Sequence, residues 1–162
     1  MLEPAVRYKD ELLKHFTTEL YTKDYYYYCG CAKNGSLPTI ESEDDIRQYA
    51  ITDYAYDGTR KVVGYLAYRI DYDTKCAYNF GLYSFEKGNK MVGRDVLNEL
   101  DRLVSTYHRV EWKVVGDNPV KSKYDWYCKK RNGNCVCLHD YTIDEECNYQ
   151  DIYIYEIINN SK

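Results

Sequence analysis

The chain has 162 residues, enough for one domain with a sizeable core. Its 22 Lys and Arg against 26 Asp and Glu leave a net charge of −4, without the basic surplus of a dedicated nucleic-acid binder. It has no apolar run of roughly twenty residues, and its start, Met-Leu-Glu-Pro-Ala-Val-Arg, lacks a signal peptide's apolar core. No membrane partner is therefore expected, and the expected compartment is the cytoplasm.

In chain order, Val6, Leu12, Leu13, Phe16 and Leu20 among charges predict an amphipathic helix over 5–22. Residues 25–39 are broken by Gly30, Asn34-Gly35 and Pro38 and stay ambiguous. The acidic run Glu41 to Asp45 reads as a solvated loop or helix start. Alternating patterns predict strands over 46–54, 61–71 and 75–85, with tight turns at Asp57-Gly58 and Asp71 to Thr74. A helix is predicted from about Met91 to Tyr107, because Val96, Leu97, Leu100, Leu103 and Val104 recur at three and four. A strand over 109–115 precedes Gly116-Asp117-Asn118-Pro119 and a helix from Pro119 to about Lys130. Pro119 suits a first helical turn, where its missing N–H costs nothing. Two last strands, 134–141 and 149–158, flank an acidic turn at 144–146.

Seven cysteines, an odd number without a secretion signal, argue against a disulfide framework. Cys29/Cys31 and Cys135/Cys137 are too closely spaced within each pair for a usual four-thiolate zinc site, so reduced thiols and no metal are expected. The 21 tyrosines, including the run Tyr25 to Tyr28, read as strand-forming, half-buried surface with wet hydroxyls. The competing reading is a stacking platform for bases or sugars.

The stretch from Tyr78 to Leu100 carries the chemistry. An aromatic-rich strand enters a loop with Gly88 and Gly93 and then a helix. First-turn N–H groups lack internal partners and sit at the positive end of the helix dipole, which makes an anion site. Lys87 and Lys90 add charge, and residues 87–95 thus suit a phosphate-bearing cofactor. Gly88 to Asp95 is one step from the nucleotide-triphosphate loop, but Arg94 replaces its Lys and Asp95 its magnesium-binding hydroxyl. A plain connector is the remaining reading.

This strand, loop and helix, taken with the elements C-terminal to them, resembles the GNAT superfamily of acyl-CoA N-acyltransferases. That family's loop motif is Gln/Arg-x-x-Gly-x-Gly/Ala. Gly93 takes its second glycine position, Met91 falls at the first, and Gly88 falls at the Gln/Arg position. The family also places an Asn after its fifth strand, then a helix bearing a Tyr, then a Gly before a final hairpin. Asn118, Tyr124 and Gly133 fit that order, with Tyr127 as the rival tyrosine. The match covers residues 48–158 of a single 1–162 domain, with 1–47 as a variable N-terminal part.

The resemblance implies a single-domain α/β (α+β) fold with a mixed, mostly antiparallel sheet. Helices would lie on both faces, and a parallel strand pair would splay open. It implies acetyl-CoA as acyl donor, bound by Leu82, Tyr83, Ser84, Lys87, Gly88, Asn89, Lys90, Met91, Val92, Gly93, Arg94, Asp95, Asn118 and Tyr124. An amide near Leu82 or Tyr83 would stabilise the oxyanion. Tyr124, with Tyr127 in reserve, would serve the departing thiolate. Glu111, mid-strand among Val110, Trp112 and Val114, is the candidate base; it equally suits a pair with Lys113 or an arginine. His108 and His139 have no placement. The expected function is acetyl transfer to a primary amine of a small molecule or protein. A homodimer is the assembly considered. Two other readings stand beside it: a non-catalytic CoA-binding or partner-interaction module, and an interaction domain using the tyrosines with Lys121, Lys123, Lys129, Lys130 and Arg131.

Overall fold

A computed structural model describes residues 1–20, 26–29, 37–41, 44–144 and 146–161. Its elements are β1 (Leu2–Pro4), a 3-10 turn (Ala5–Tyr8), α1 (Lys9–Glu19), β2 (Ile46–Tyr54), β3 (Arg60–Asp71) and β4 (Cys76–Ser84). After these come α2 (Lys90–Thr106), β5 (Arg109–Val115), α3 (Lys121–Lys130), β6 (Asn134–Ile143) and β7 (Tyr149–Ile158). The strands form one seven-stranded sheet in the order β1-β2-β3-β4-β5-β7-β6. Among the described residues only the β4–β5 pair is parallel, joined by the crossover helix α2. Among the described residues no helix is long and apolar enough to cross a membrane.

Two apolar layers sandwich the sheet. α1 contributes Leu12 and Phe16 to one face, with Tyr28, Tyr65, Ala67 and Tyr83. α2 and α3 cover the other, where Val96, Leu100, Leu103, Tyr124 and Tyr127 meet Leu66, Phe80, Trp112 and Tyr155. Covered on both sides, β3 is buried without a break from Val62 to Tyr68.

Bulges on β3 and β4 break the period-2 rule. On β3, Gly64 pairs with Ile51 and Val62 with Thr52, leaving Val63 extra. Parity therefore flips, so Val62 and Tyr65 share the α1 face while Val63 faces α2. On β4 the extra residue is at Asn79, which sits at φ +54° in the left-handed region that Asn tolerates.

Several expectations are corrected. The N-terminal helix starts at Lys9 rather than at residue 5, because Ala5 to Tyr8 form a 3-10 turn that leads out of β1, which pairs with β2; residues 21 and 22 of the expected helix lie outside the described residues. Pro119 does not open a helix. It lies in the turn before α3, where the Asn118 side chain accepts the Val120 N–H at 3.0 Å. Nor do the core tyrosines keep wet hydroxyls. Tyr68 donates to Glu99 at 2.6 Å, Tyr127 to Asp101 at 2.7 Å and Tyr155 to Asp125 at 2.7 Å. Each carboxylate in turn meets a cation, respectively Arg102, Arg131 and Lys121. These three buried phenols are thus satisfied at the rim of the core by charged acceptors. The expected glycine before the last hairpin has a steric cause, since a Cβ at Gly133 would lie 2.6 Å from the Glu156 carbonyl oxygen.

Candidate active site

The parallel pair opens as the chain runs forward. β4 and β5 are matched at Cys76–Arg109, Ala77–Val110 and Phe80–Trp112, and no pairing follows. Tyr78 and Asn79 stand against Glu111 alone, so the Asn79 bulge bends β4 away from β5 just before the opening. Beyond it, Gly81 to Ser84 and Lys113 to Val115 border a gap.

Which β4 groups face that gap follows from ladder alternation. The Phe85 N–H donates to the Val63 carbonyl at 3.0 Å, and Tyr83 and Gly81 lie opposite Tyr65 and Ala67. In an antiparallel ladder, alternate residues bond to the same neighbour. The amides of Phe85, Tyr83 and Gly81 therefore point to β3, and those of Leu82 and Ser84 point into the gap. Of the two oxyanion donors expected from the sequence, Leu82 is the one so directed.

The gap holds a cleft of about 380 Å³. Phe80 to Ser84, Lys87, Gly88, Asn118 and Tyr124 line it, so strand end, loop and the start of α3 meet there, while Asn89 to Asp95 do not line it. Tyr27, Cys29, Lys113 and Val114 also line it, and sequence reasoning missed them. A second hollow of about 550 Å³ lies on the α2 side, between Gly93, Val96 and Leu97 and the start of α3. Leu82, Val120 and Tyr124 border both.

The loop into α2 presents first-turn backbone donors, one of them already taken. Gly88 sits at φ +77°, glycine's own region. Asn89 caps the helix, its Oδ1 accepting the Met91 N–H at 2.8 Å. The Lys90 and Val92 amides are the other orphan donors of that turn. An added Cβ would meet nothing within 4 Å at Gly88 or at Gly93. Gly93 thus weakens a helix turn without any packing reason, which leaves room for a ligand to approach the backbone.

Side-chain charge here is mixed. Arg94 turns to Asp95 at 3.0 Å, so neither reaches outward as a separate ligand group. Glu86 and Asp53 both accept from the Asn89 side chain. The Lys61 ammonium holds Glu86 below the usual carboxylate range, and the Tyr54 amide does the same for Asp53. Lys87 and Lys90 are exposed and supply the positive charge.

The two candidate tyrosines have different surroundings. Tyr124 is 5 % exposed, packs edge-on against Trp112, and borders the cleft with its hydroxyl in no protein hydrogen bond among the described residues. Burial, and then Cys29, raise its pKa, so it stays a phenol through neutral pH. Tyr127 faces elsewhere, its hydroxyl committed to Asp101. Glu111 is also away from the cleft: Arg109 bonds it at 2.6 Å and reaches Glu156 at 3.0 Å. It thus takes the arginine pairing that its strand position equally suits. His108 contacts the Asn159 carbonyl, and His139 lies on β6. Among the described residues no carboxylate or imidazole lines the cleft. The Cys29 thiol does, but burial pushes it up to about 11 against the lowering effects of Lys113 and the Val115 amide. It is therefore almost wholly protonated near neutrality.

Cys31 of the four-thiolate pattern, Tyr25 of the tyrosine run and the breakers Gly30 and Asn34-Gly35 lie outside the described residues, as do Ser42, Glu43 and Glu145 of the acidic segments. The described cysteines are all free. Of the basic stretch on and just after α3, Lys121 pairs with Asp125, Arg131 with Asp101, and Lys130 lies over the Trp126 ring.

No family model and no curated protein sequence matches the chain. Solved structures do. A probable GNAT acetyltransferase from Chromobacterium violaceum matches with TM-score 0.62 and 12 % identity, over 98 % of this chain and 85 % of that one. The ribosomal-protein-S18-alanine N-acetyltransferase of Escherichia coli matches at 0.55 and 14 %, over 72 % and 71 %. A spermidine/spermine N-acetyltransferase from Vibrio cholerae matches at 0.52 and 14 %, over 92 % and 74 %. Strand order, crossover helix, bulged fourth strand and open parallel pair together make this the GNAT acetyltransferase fold.

Proposed function

We propose that the protein is an N-acetyltransferase that moves an acetyl group from acetyl-CoA to a primary amine of a small molecule or protein. The observation that carries this reading is the unpaired β4 edge, with Leu82 and Ser84 amides facing a cleft that Tyr124 closes. The solved structures of this fold include enzymes named for an alanine of ribosomal protein S18 and for spermidine and spermine, which supports an amine acceptor.

Acetyl-CoA would supply the thioester and an amide-bearing arm. The residues present fit it: Leu82 and Ser84 offer edge amides, Gly88 and Gly93 leave the loop open, and Lys90 and Val92 offer orphan N–H groups. Asn118 would border the arm. The Leu82 N–H is the donor available to negative charge developing on the acyl oxygen. Tyr124, with a pKa raised above that of a thiol, acts by donating a hydrogen bond to the departing sulfur rather than by giving up its proton outright. The protonated state of Cys29 favours direct attack by the amine over an acyl-cysteine route. The amine's proton then leaves through water, since no base side chain among the described residues borders the cleft.

The lack of such a base favours a second reading, a CoA-binding module without turnover. Calorimetry with acetyl-CoA, followed by a thiol-release assay over a panel of primary amines, separates the two. Binding with thiol release supports the transferase. Binding without release from any amine supports the module, and neither heat nor thermal shift defeats both.

A further inference from the structure

The β6–β7 hairpin carries a second cluster, built from residues the acetyl-transfer reading does not use. β6 pairs with β7 at Leu138–Ile152 and resumes at Thr142–Gln150, so His139, Asp140 and Tyr141 stand against Asp151 alone. Asp140, at φ +52°, marks this bulge. Its N–H donates to Asp151 Oδ1 at 3.1 Å and fixes that carboxylate. The other oxygen, Oδ2, lies 3.5 Å from Cys137 Sγ and 3.2 Å from His139 Nδ1. The sulfur and the ring nitrogen are 3.6 Å apart.

These spacings suit a tetrahedral metal. With Zn–S near 2.3 Å and Zn–N and Zn–O near 2.0–2.2 Å, tetrahedral angles put sulfur about 3.6 Å from each of the other donors. The same bond lengths put nitrogen and oxygen about 3.4 Å apart. The three donor atoms already stand within a few tenths of an ångström of that triangle. Thiolate, imidazole and carboxylate together favour a borderline ion such as zinc over magnesium or calcium. A thiolate and a carboxylate also balance the charge of a divalent cation.

We propose that Cys137, His139 and Asp151 bind one zinc ion, with the Asp140 amide holding the carboxylate from behind. The His139 side chain is 80 % exposed, so the fourth position opens to solvent, as in three-ligand sites. The proposal departs from the sequence expectation of no metal: Cys137 would work not with Cys135 but with a histidine and an aspartate that the hairpin register delivers.

The test uses the reduced, chelator-treated full chain titrated with Co²⁺, which reports thiolate ligation by a near-ultraviolet charge-transfer band. The expected result is one equivalent bound, that band present, and the cobalt displaced by Zn²⁺. Cys137→Ser removes the band. His139→Gln and Asp151→Asn weaken binding by at least the roughly 10–100-fold that outer-shell changes cost. Cys135→Ser and Cys147→Ser keep the spectrum, and far-ultraviolet circular dichroism confirms that each variant folds. No charge-transfer band in the parent, or a band that persists in folded Cys137→Ser, overturns the proposal.

Discussion

Two tyrosines three positions apart on α3 separate function from stability. In Tyr127→Phe the hydroxyl that donates to Asp101 at 2.7 Å is lost. A hydrogen bond to a charged group contributes about 1.5–3 kcal/mol, but the Asp101 side chain is 47 % exposed and retains Arg131. We therefore expect a loss of about 1–2 kcal/mol, which lowers Tm by about 2–8 °C in a chain of this size, with kcat unchanged. Tyr124→Phe removes a hydroxyl with no protein partner among the described residues, so its stability should stay within about 0.5 kcal/mol. Its kcat should instead fall on the order of 10- to 150-fold, the worth of one hydrogen bond to developing charge. The paired measurement is thermal unfolding beside steady-state thiol release. A reversed outcome, with Tyr127→Phe abolishing turnover and Tyr124→Phe only lowering Tm, would refute the assignment.

Three further outcomes are expected. Gly93→Ala should raise Tm by about 2–4 °C, from up to ~1 kcal/mol of helix propensity, while weakening acetyl-CoA in calorimetry; tighter binding would remove the loop from the site. At Asp125, burial works to raise the pKa, but the Lys121 and Tyr155 hydrogen bonds outweigh it and hold the carboxyl below its usual range. A depressed carboxylate contributes stability above its unfolded value and loses it as pH falls, so Asp125→Asn should unfold more easily at pH 7 and lose less between about pH 4 and 2. Parallel acid-unfolding curves for parent and variant would count against this. Finally, Cys29, with its thiol pushed up to about 11 from 9.0, should alkylate on the order of 100-fold more slowly at pH 7 than a free thiol. Site-resolved mass spectrometry after a timed iodoacetamide pulse reads this directly, and equal labelling of Cys29 and exposed Cys147 would contradict it.

Local pattern sufficed wherever one face of an element is buried. Val110, Trp112 and Val114 alternate inward on β5, and the strands at 46–54, 109–115 and 149–158 have the boundaries their alternation predicts. The α2 stripe likewise placed its helix. What pattern reading lost was parity and partnership. An Asn between Tyr78 and Phe80 is a poor strand former that tolerates positive φ, which is the signal that could have located the bulge at Asn79. Tyr124 and Tyr127 share a helix face, and only Asp101 on a distant helix decides between them. The Glu111 pairing, by contrast, was open to sequence reading, since Arg109 lies two residues away on the same side of the strand. His139 met Asp151 only through a hairpin register that no local spacing encodes.

The interrupted parallel pair has a mechanical consequence. Three rungs near Cys76 to Phe80 join the four N-terminal strands to the three C-terminal ones, and beyond them the sheet is two leaves on a common spine. A guest whose own amides bridge Leu82 and Ser84 to the facing leaf would act as a replacement rung. Loading such a guest should therefore quiet the relative rocking of the two leaves, which makes hydrogen exchange at those two amides a gauge of occupancy.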